Sequence, residues 1–383
     1  MIAYNNEWLK NIQAIESVDA AGKERLITPE ETQAIRQKLT IGFYTPNTFI
    51  RIGLFLLTLV ICLFSYGFIS LFVMASLEKG LAAIAIFFGL VSYGALEYLI
   101  RTKQHFKSGG DDALLWLAAS FISGGLYILT DPTPLQNCLL ILVIAVGATL
   151  RFTDRVMTAV AVLSFFGAIF YLFGSYGAFF RAILPFVCMV VALLLYFGTK
   201  RLRHVEATKL YSANLDVVAV LSLVICYVAG NYFVVRELSI GLFQLNLVEG
   251  APLPFGWIFW TVTCMLPLIY LGVGIKQKDR LLIRTGLLLV AVSLVTLKYY
   301  LFIASVEVLI TLLGLLLLAT AYGLIKFLST PRFGFVYKET EEEEGAQLES
   351  LVIAETFSPV VAPADPARFG GGNFGGAGSS GEF

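Results

Sequence analysis

The chain has 383 residues, of which 58% are hydrophobic and only 14% are charged, and its formal net charge is zero. Soluble domains are typically about 45–50% apolar and about 25% charged, so this composition excludes an ordinary soluble domain. The mean hydropathy of +0.81 indicates a protein whose surroundings are mostly lipid.

The first 50 residues predict a short helical hairpin. Five apolar residues of its first helix recur at helical spacing: Trp8, Leu9, Ile12, Ile15 and Val18. A second helix is predicted to begin at Thr28, which is followed by Pro29 at the first helical position and by Glu31 three residues on. One apolar stripe is too narrow to fold alone, so we expect the hairpin to pack against its own membrane domain. The alternative is a docking module for a partner.

Ten apolar stretches follow. Crossing about 30 Å of hydrocarbon takes roughly 20 apolar residues in a helix, and lipid requires each backbone polar group to be hydrogen-bonded within its own segment. The predicted spans are 53–74, 80–99, 113–129, 136–150, 156–174, 182–198, 217–235, 255–275, 285–303 and 306–328. The fold class is therefore predicted to be all-α, a polytopic transmembrane helix bundle of about ten spans. The fourth span is short, and a re-entrant segment is the alternative there.

Lysine and arginine accumulate at every second gap between these spans. One side collects 22 basic residues, and the other side only Lys79, Arg181 and Arg236. Because basic residues are retained on the cytoplasmic side, both termini are predicted to be cytoplasmic. Removing the fourth crossing would put every later basic cluster on the wrong side, which favours ten crossings.

Local signals refine the ends and contacts of the spans. Asp111, Asp112 and Asp154 precede predicted spans and are expected to cap their N-termini. Ser120 and Gly124 lie four residues apart in the third span, a spacing of small residues that lets helices approach closely.

Four polar side chains inside or at the edge of the spans form the candidate intramembrane site, because burying a charge in lipid costs at least about 2.5–3.5 kcal/mol. They are Glu97, Asn231, Lys298 and Glu307. Lys298 and Glu307 flank a short outer turn, and an ion pair between them would gate a cavity or bind a carboxylate. The structural alternative is that Lys298 snorkels to the interface and Glu307 caps a helix. Glu97 is four residues before Arg101, which is the spacing of a helical ion pair, and Asn231 either bridges helices or lines a site.

No motif in the sequence predicts catalysis or the binding of a metal or nucleotide. The cysteines form no C-x-x-C pair, His105 and His204 lie in separate loops, and no hydrolase or nucleotide-binding motif occurs. We therefore expect no enzymatic activity, no cofactor and no bound metal.

The last 55 residues, 329–383, differ in composition from the rest. A run of four glutamates at 341–344 is followed by a segment rich in proline and glycine, which cannot bury enough surface to fold and predicts a disordered cytoplasmic tail. Phe369, Phe374 and Phe383 leave open the alternative of a weak ligand motif. The predicted organisation is thus a hairpin at 1–50, a transmembrane domain at 51–328 and a tail at 329–383.

Two segments carry a resemblance to a known group of proteins. They are LITPEETQAI at 26–35, with the helices directly after it, and 272–300 with its basic loop, Gly286 and the triplet Lys298-Tyr299-Tyr300. The chain resembles bacterial predicted multi-pass membrane proteins that are grouped as a domain of unknown function. This resemblance implies a bacterial cytoplasmic (inner) membrane location, and it implies no activity.

Two functional hypotheses follow. The first is a non-catalytic membrane scaffold or sensor that meets a cytoplasmic protein through the hairpin or the tail. The second is a small-solute transporter whose sparse polar lining is the candidate intramembrane site. Ion-coupled carriers usually have more ionisable residues and broken helices near the midplane, so the scaffold is favoured. The expected partners are the lipid bilayer and that protein; no nucleic-acid partner is expected, and a small-molecule ligand is left open.

Overall fold

A computed structural model describes residues 2–23, 26–73, 78–241 and 255–301, with scattered positions between 311 and 326. Within these ranges the regular elements are twelve α-helices and one short 3-10 helix, so the predicted all-α fold is confirmed. The predicted tenth span, with Glu307, lies outside the described residues apart from those scattered positions. The predicted tail at 329–383 lies outside them entirely.

The N-terminal hairpin consists of α1 (Asn6–Lys23) and α2 (Pro29–Lys38). The capping box that the sequence predicts at the start of α2 is present. The Glu31 backbone N–H donates to Thr28 Oγ1 at 3.2 Å, and the Thr28 backbone N–H donates to Glu31 Oε2 at 2.9 Å. Two of the four N–H groups that a helix start leaves unsatisfied therefore have local partners.

Ten helices follow: α3 (Thr48–Val73), α4 (Glu78–Lys103), α5 (Gly110–Thr130), α6 (Pro134–Phe152), α7 (Arg155–Gly174), α8 (Ala178–Leu202), α9 (Ser212–Gly230), α10 (Tyr232–Gly241), α11 (Gly256–Gln277) and α12 (Arg280–Leu301). A 3-10 helix, Glu206–Tyr211, leads into α9. Nine helices of the described chain, all of this set except α10, are long and apolar enough to cross a membrane. The chain is therefore a multi-pass membrane protein.

The surface of the bundle supports this conclusion. Phe49, Phe64 and Phe72 of α3 are each more than 70% exposed, and within the described chain the apolar window of α3 has no buried position. Soluble monomers rarely expose contiguous apolar patches larger than a few hundred Å². An apolar surface of this kind requires lipid around it.

Sequential helices pack in pairs, α4 with α5, α6 with α7, α8 with α9 and α11 with α12. Helix α9 lies at the centre of the second half, where it also contacts α7, α11 and α12. Its buried Leu223 and Tyr227 belong to one cluster with Tyr270 of α11 and Leu289 of α12.

Helices α4 and α5 approach closely through glycine, although not through the glycine that the sequence predicts. A Cβ added to Gly125 would lie 2.8 Å from the carbonyl oxygen of Ala82, whereas a Cβ on Gly124 would meet nothing within 4 Å. Gly124 therefore faces away from the contact, and the small-residue prediction is wrong by one position. One step along a helix turns the side chain by about 100°, which is enough to leave the interface.

One end of the bundle carries the hairpin, and we call it the hairpin end. It is built from the segment before α3 and from the α4–α5, α6–α7, α8–α9 and α11–α12 connections. Several contacts join these segments: the Ala3 N–H donates to the Arg151 carbonyl at 2.8 Å, Gln13 Nε2 to the Lys209 carbonyl at 3.1 Å, and Lys200 Nζ bonds Gln277 Oε1. These are the same connections that the distribution of basic residues predicts to lie on one side of the membrane.

Two span predictions need correction in detail. The fourth predicted span is helix α6, which is longer than expected. Thr133 and Gln136 form a capping box that starts this helix at Pro134 and gives it 19 residues. The prediction that the seventh span is one continuous helix is wrong. Helix α9 ends at Gly230, Asn231 adopts an extended conformation with φ −76° and ψ 127°, and α10 begins at Tyr232. The physical reason lies in the Asn231 side chain.

Candidate functional site

The break at Asn231 is held by the amide of that residue, which is only 2% exposed. Asn231 Oδ1 accepts the N–H groups of Phe233 at 3.0 Å and Val234 at 3.3 Å, as an N-cap residue does. Asn231 Nδ2 donates to the Tyr227 hydroxyl at 2.9 Å and to Thr296 Oγ1 at 3.1 Å. An asparagine amide offers two donor hydrogens and one carbonyl oxygen with two lone pairs, so these four bonds use its full capacity.

Thr263 satisfies a further backbone group at this junction. The Tyr232 N–H donates to Thr263 Oγ1 at 2.9 Å, and Thr263 in turn donates to the Phe259 carbonyl at 2.7 Å. The broken backbone is thus re-bonded inside the protein, as the bilayer interior demands. The junction ties α9 and α10 to α11 and α12, and Asn231 acts there as a bridge between helices.

Lys298 does not join Asn231. The buried residues of α12 that lie toward α9 include Leu289, Ser293 and Thr296, which share one face at helical spacing. Lys298 is two residues beyond Thr296 and therefore lies about 200° around the helix from it. Its side chain is half-buried. Glu307, its predicted partner, lies outside the described residues, so the predicted ion pair stays a prediction.

Glu97 lies at the hairpin end, far from Asn231. The predicted pair with Arg101 is present, with Arg101 Nε at 3.0 Å from Glu97 Oε2. Two further contacts were not predicted: Arg151 Nε donates to Glu97 Oε1 at 2.6 Å, and the Tyr93 hydroxyl donates to the same oxygen at 3.0 Å. Since α9 starts at the hairpin end and has 19 residues, Asn231 lies about 28 Å along the bundle from that end. Glu97, Asn231 and Lys298, the three of the four predicted residues that the structure describes, therefore do not come together in one site.

A second polar cluster at the hairpin end was missed by the sequence analysis. The Asp111 carboxylate reaches back to the loop before α5, where Oδ1 accepts the Ser108 N–H at 2.8 Å and the Ser108 hydroxyl at 3.0 Å. Ser108 Oγ also lies 2.7 Å from His105 Nδ1. Asp111 is 2% exposed, and its Oδ2 has no hydrogen-bond partner among the described residues.

This geometry corrects the predicted capping role of Asp111. Gly109 is the N-cap residue of α5, and Asp111 lies inside the first turn, where a negative charge is favoured by the helix dipole. Gly109 has φ +91°, and a Cβ there would lie 2.0 Å from the Arg51 carbonyl oxygen. The start of α3 therefore packs directly on this loop, and Arg51 binds Asp112 at 2.7 Å. Asp154 does cap its helix, since its Oδ1 accepts the Met157 N–H at 2.7 Å.

Burial shifts the pKa of several groups at the hairpin end. It lowers the pKa of His105; the Asp111 charge opposes that shift, and Lys103 adds to it. Burial also lowers the pKa of Lys107 and raises the pKa of Tyr4 well above its ordinary value, with Asp111 and Asp112 adding to the Tyr4 shift. The neutral forms of His105 and Lys107 are favoured relative to the same groups in water.

The hairpin joins the membrane domain through α1 and the segments on either side of the two helices, since the Ala3 N–H donates to the Arg151 carbonyl and the Tyr44 N–H donates to the Gln104 carbonyl. Tyr4 and Leu9 are buried in one cluster with Ile100, Phe106 and Leu114 of the membrane domain. This contact agrees with the expected packing of the hairpin against its own membrane domain. Helix α2, in contrast, has no buried residue within the described structure. Its contact with α1 includes a 2.7 Å ion pair between Arg36 and Asp19.

The described residues contain no group of three or more His, Cys, Asp or Glu side chains arranged to hold a metal ion. No family model, curated protein or solved structure matches this chain, so the resemblance to a family of unknown function stays a prediction.

Proposed function

We propose that the protein is a non-catalytic membrane scaffold or sensor, in which the helical bundle holds an interaction surface at the hairpin end. The observation that supports this proposal is the contrast between the two hairpin helices. Helix α1 is anchored by its own Leu9 and by Tyr4 directly before it, whereas α2 is a capped helix with none of its described residues buried. A capped helix without a buried residue is available to a partner.

The surface of α2 defines the chemistry of that partner. Its exposed positions include Glu30, Gln33, Gln37 and Lys38. They combine both charge signs with amides, so the partner would present a polar protein surface rather than lipid tails. The 22 basic residues on this side support a cytoplasmic location for α2 and for that partner. The resemblance noted from the sequence supports a bacterial inner membrane as the setting.

The polar interior of the described bundle supports the scaffold over the transporter. A solute site needs donors or acceptors that are left over for the solute. The Asn231 amide uses its full hydrogen-bonding capacity in bonds to Tyr227, Thr296 and the start of α10. Asn231 is therefore better explained as part of the architecture.

One observation favours the transporter as a second candidate. Interrupted helices are a feature of many carriers, where the freed ends of the half-helices bind substrate. The break between α9 and α10 is such an interruption, and it removes one of the two sequence-based arguments against transport. The scarcity of ionisable residues within the spans remains as a sequence-based argument against transport, and the saturation of Asn231 is the structural one.

A photo-crosslinking experiment in native membranes tests the proposal. A photoreactive phenylalanine analogue is introduced at Gln33 of α2, and a matched control carries it at Tyr176, an exposed residue in the loop after α7 at the other end. We expect a discrete protein adduct at position 33 and no adduct at position 176. The position-33 adduct should persist in the Lys298→Met variant, since Lys298 has no part in this surface.

The transporter predicts the opposite behaviour. Purified protein would be stabilised against heat by a solute, and the stabilisation would vanish in Lys298→Met. That result, together with no adduct at position 33, would overturn the scaffold proposal. Deleting residues 339–383 should weaken partner binding if the tail shares in it, and this deletion should leave any solute response unchanged.

A further inference from the structure

A groove opens at the hairpin end where the ends of α4 and α6 meet. Its volume is about 500 Å³, and it is lined by Tyr93, Glu97, Tyr98, Arg101, Thr102 and Arg151. Next to it the rings of Tyr93 and Phe152 lie 6.1 Å apart, and within it Arg151 binds Glu97.

The charge of this groove is positive. Two guanidinium groups, on Arg101 and Arg151, face one carboxylate, on Glu97. Arg101 contacts Glu97 through Nε, and its side chain is 70% exposed. A guanidinium carries five N–H donors in a planar fork that matches phosphate oxygens, so most of the Arg101 donors are left for an incoming anion.

Beyond the groove, α4 and α6 expose apolar side chains. Leu90 and Val91 on α4 are 59% and 50% exposed, and Val146 and Leu150 on α6 are 39% and 52% exposed. On each helix these residues lie within the last two turns before the groove. A molecule that fits both parts has a negatively charged head and hydrocarbon chains.

Tyr98 adds a further interfacial feature, because its side chain is 57% exposed beside Arg101. Tyrosine is enriched where the hydrocarbon region meets the headgroups, since its ring is apolar and its hydroxyl is polar. Basic pockets between transmembrane helices are known to take anionic lipid headgroups.

We propose that this groove binds the phosphate of an anionic phospholipid headgroup, with Arg101 as the principal contact and the lipid chains along α4 and α6. Free inorganic phosphate shares the headgroup chemistry, but it would make no use of the apolar surface. Glu97 competes with the phosphate for both arginines and so limits the affinity. The site does not depend on the proposed scaffold function.

Native mass spectrometry of the full-length protein in detergent tests the site. The protein is titrated with phosphatidylglycerol, with zwitterionic phosphatidylcholine, and with phosphatidylglycerol in the presence of inorganic phosphate. We expect Arg101→Gln to weaken phosphatidylglycerol binding about tenfold, the value for losing one charged hydrogen-bonding group. Phosphatidylcholine should bind more weakly than phosphatidylglycerol to the wild type.

Two further variants sharpen the test. Lys103→Gln removes the same charge from an exposed residue of the same helical turn that does not line the groove, and it should change binding by less than about twofold. Glu97→Gln removes the competing charge and should strengthen binding several-fold. Circular dichroism and melting curves establish that each variant is folded.

Two outcomes would overturn the proposal. Equal losses in Arg101→Gln and Lys103→Gln would mean that the lipid responds only to general surface charge. Displacement of the lipid by millimolar inorganic phosphate would identify a free-phosphate site in place of a lipid site.

Discussion

Individual buried polar side chains of the described chain differ in how completely they are hydrogen-bonded. At the α9–α10 break, Asn231 is fully bonded. At the hairpin end, one oxygen of the buried Asp111 has no bond within the described chain, and Glu97 shares its charge between two arginines. Unsatisfied or strongly charged groups are costly to bury and are common at functional sites. The Tyr300 hydroxyl beside Tyr232 is also buried without a hydrogen-bond partner among the described residues, so the support for the hairpin end as the functional one comes from the charged groups of Asp111 and Glu97.

His105 should make the stability of the protein depend on pH. Its pKa in the folded protein is lowered from 6.5 by burial, so the unfolded chain binds a proton more readily than the folded protein does. Stability is therefore fully present above pH 6.5 and is lost progressively as the pH falls through the lowered folded-state pKa. We expect the melting temperature in detergent to fall between pH 7 and pH 5, and to fall less in His105→Gln.

The other histidine provides the control for this experiment. His204→Gln leaves the environment of His105 unchanged and should retain the wild-type pH dependence. If His105→Gln and the wild type lost the same stability over this range, the acid sensitivity would arise elsewhere in the chain.

Local contacts of single residues could be predicted from the sequence, and distant ones could not. The pair between Glu97 and Arg101 follows from four-residue spacing, whereas Arg151 is 54 residues further on and reaches Glu97 only because the tertiary fold brings the ends of α4 and α6 together. The cap at Thr133 was missed, although Thr133-Pro134 with Gln136 repeats the pattern recognised at Thr28. That signal was present in the sequence.

At the scale of helices, hydrophobic length predicts the elements well, because a segment in lipid has few alternatives to a helix. The nine predicted spans that fall within the described residues each correspond to a helix of the structure. The exception in detail is the break at Asn231. The flanking residues are as apolar as those of any span, so hydrophobic length and composition predict a helix that continues across Asn231. The tertiary partners Thr263 and Thr296 supply hydrogen bonds at the break that lipid cannot supply, and the sequence around Asn231 does not reveal them.

The packing of α4 against α5 should depend on one of two adjacent glycines. Gly125→Ala would place a methyl group 2.8 Å from the Ala82 carbonyl oxygen and 2.7 Å from Ile86 Cγ1. Overpacking of this kind destabilises by about 1–3 kcal/mol. We expect Gly125→Ala to lower the free energy of unfolding by that amount, measured by denaturant titration in mixed micelles.

Gly124→Ala is the matched control. Its methyl group would meet open space, and replacing a helical glycine with alanine is neutral or stabilising by up to about 1 kcal/mol. Equal effects of the two substitutions would show that α4 and α5 do not meet at Gly125.

At the scale of the whole molecule, the distribution of basic residues and the packing of the helices agree on one arrangement. The connections that carry most of the lysines and arginines meet at the hairpin end, and there they contact one another and α1. The sequence could predict this arrangement because the retention of basic residues acts on each loop separately. It could not predict the Asp111 cluster, which needs α3 to pack on the loop before α5 through Gly109.

The proposed function depends most on the claim that the hairpin end lies on the cytoplasmic side of the membrane. Cysteine labelling in intact cells tests it directly, in a background without the five native cysteines. Gln37→Cys marks α2 at the hairpin end, and Tyr176→Cys marks the loop at the other end; both positions are exposed. We predict that a membrane-impermeant maleimide labels Tyr176→Cys in intact cells and labels Gln37→Cys only after the cells are permeabilised. Labelling of Gln37→Cys in intact cells, with protection of Tyr176→Cys, would contradict the account.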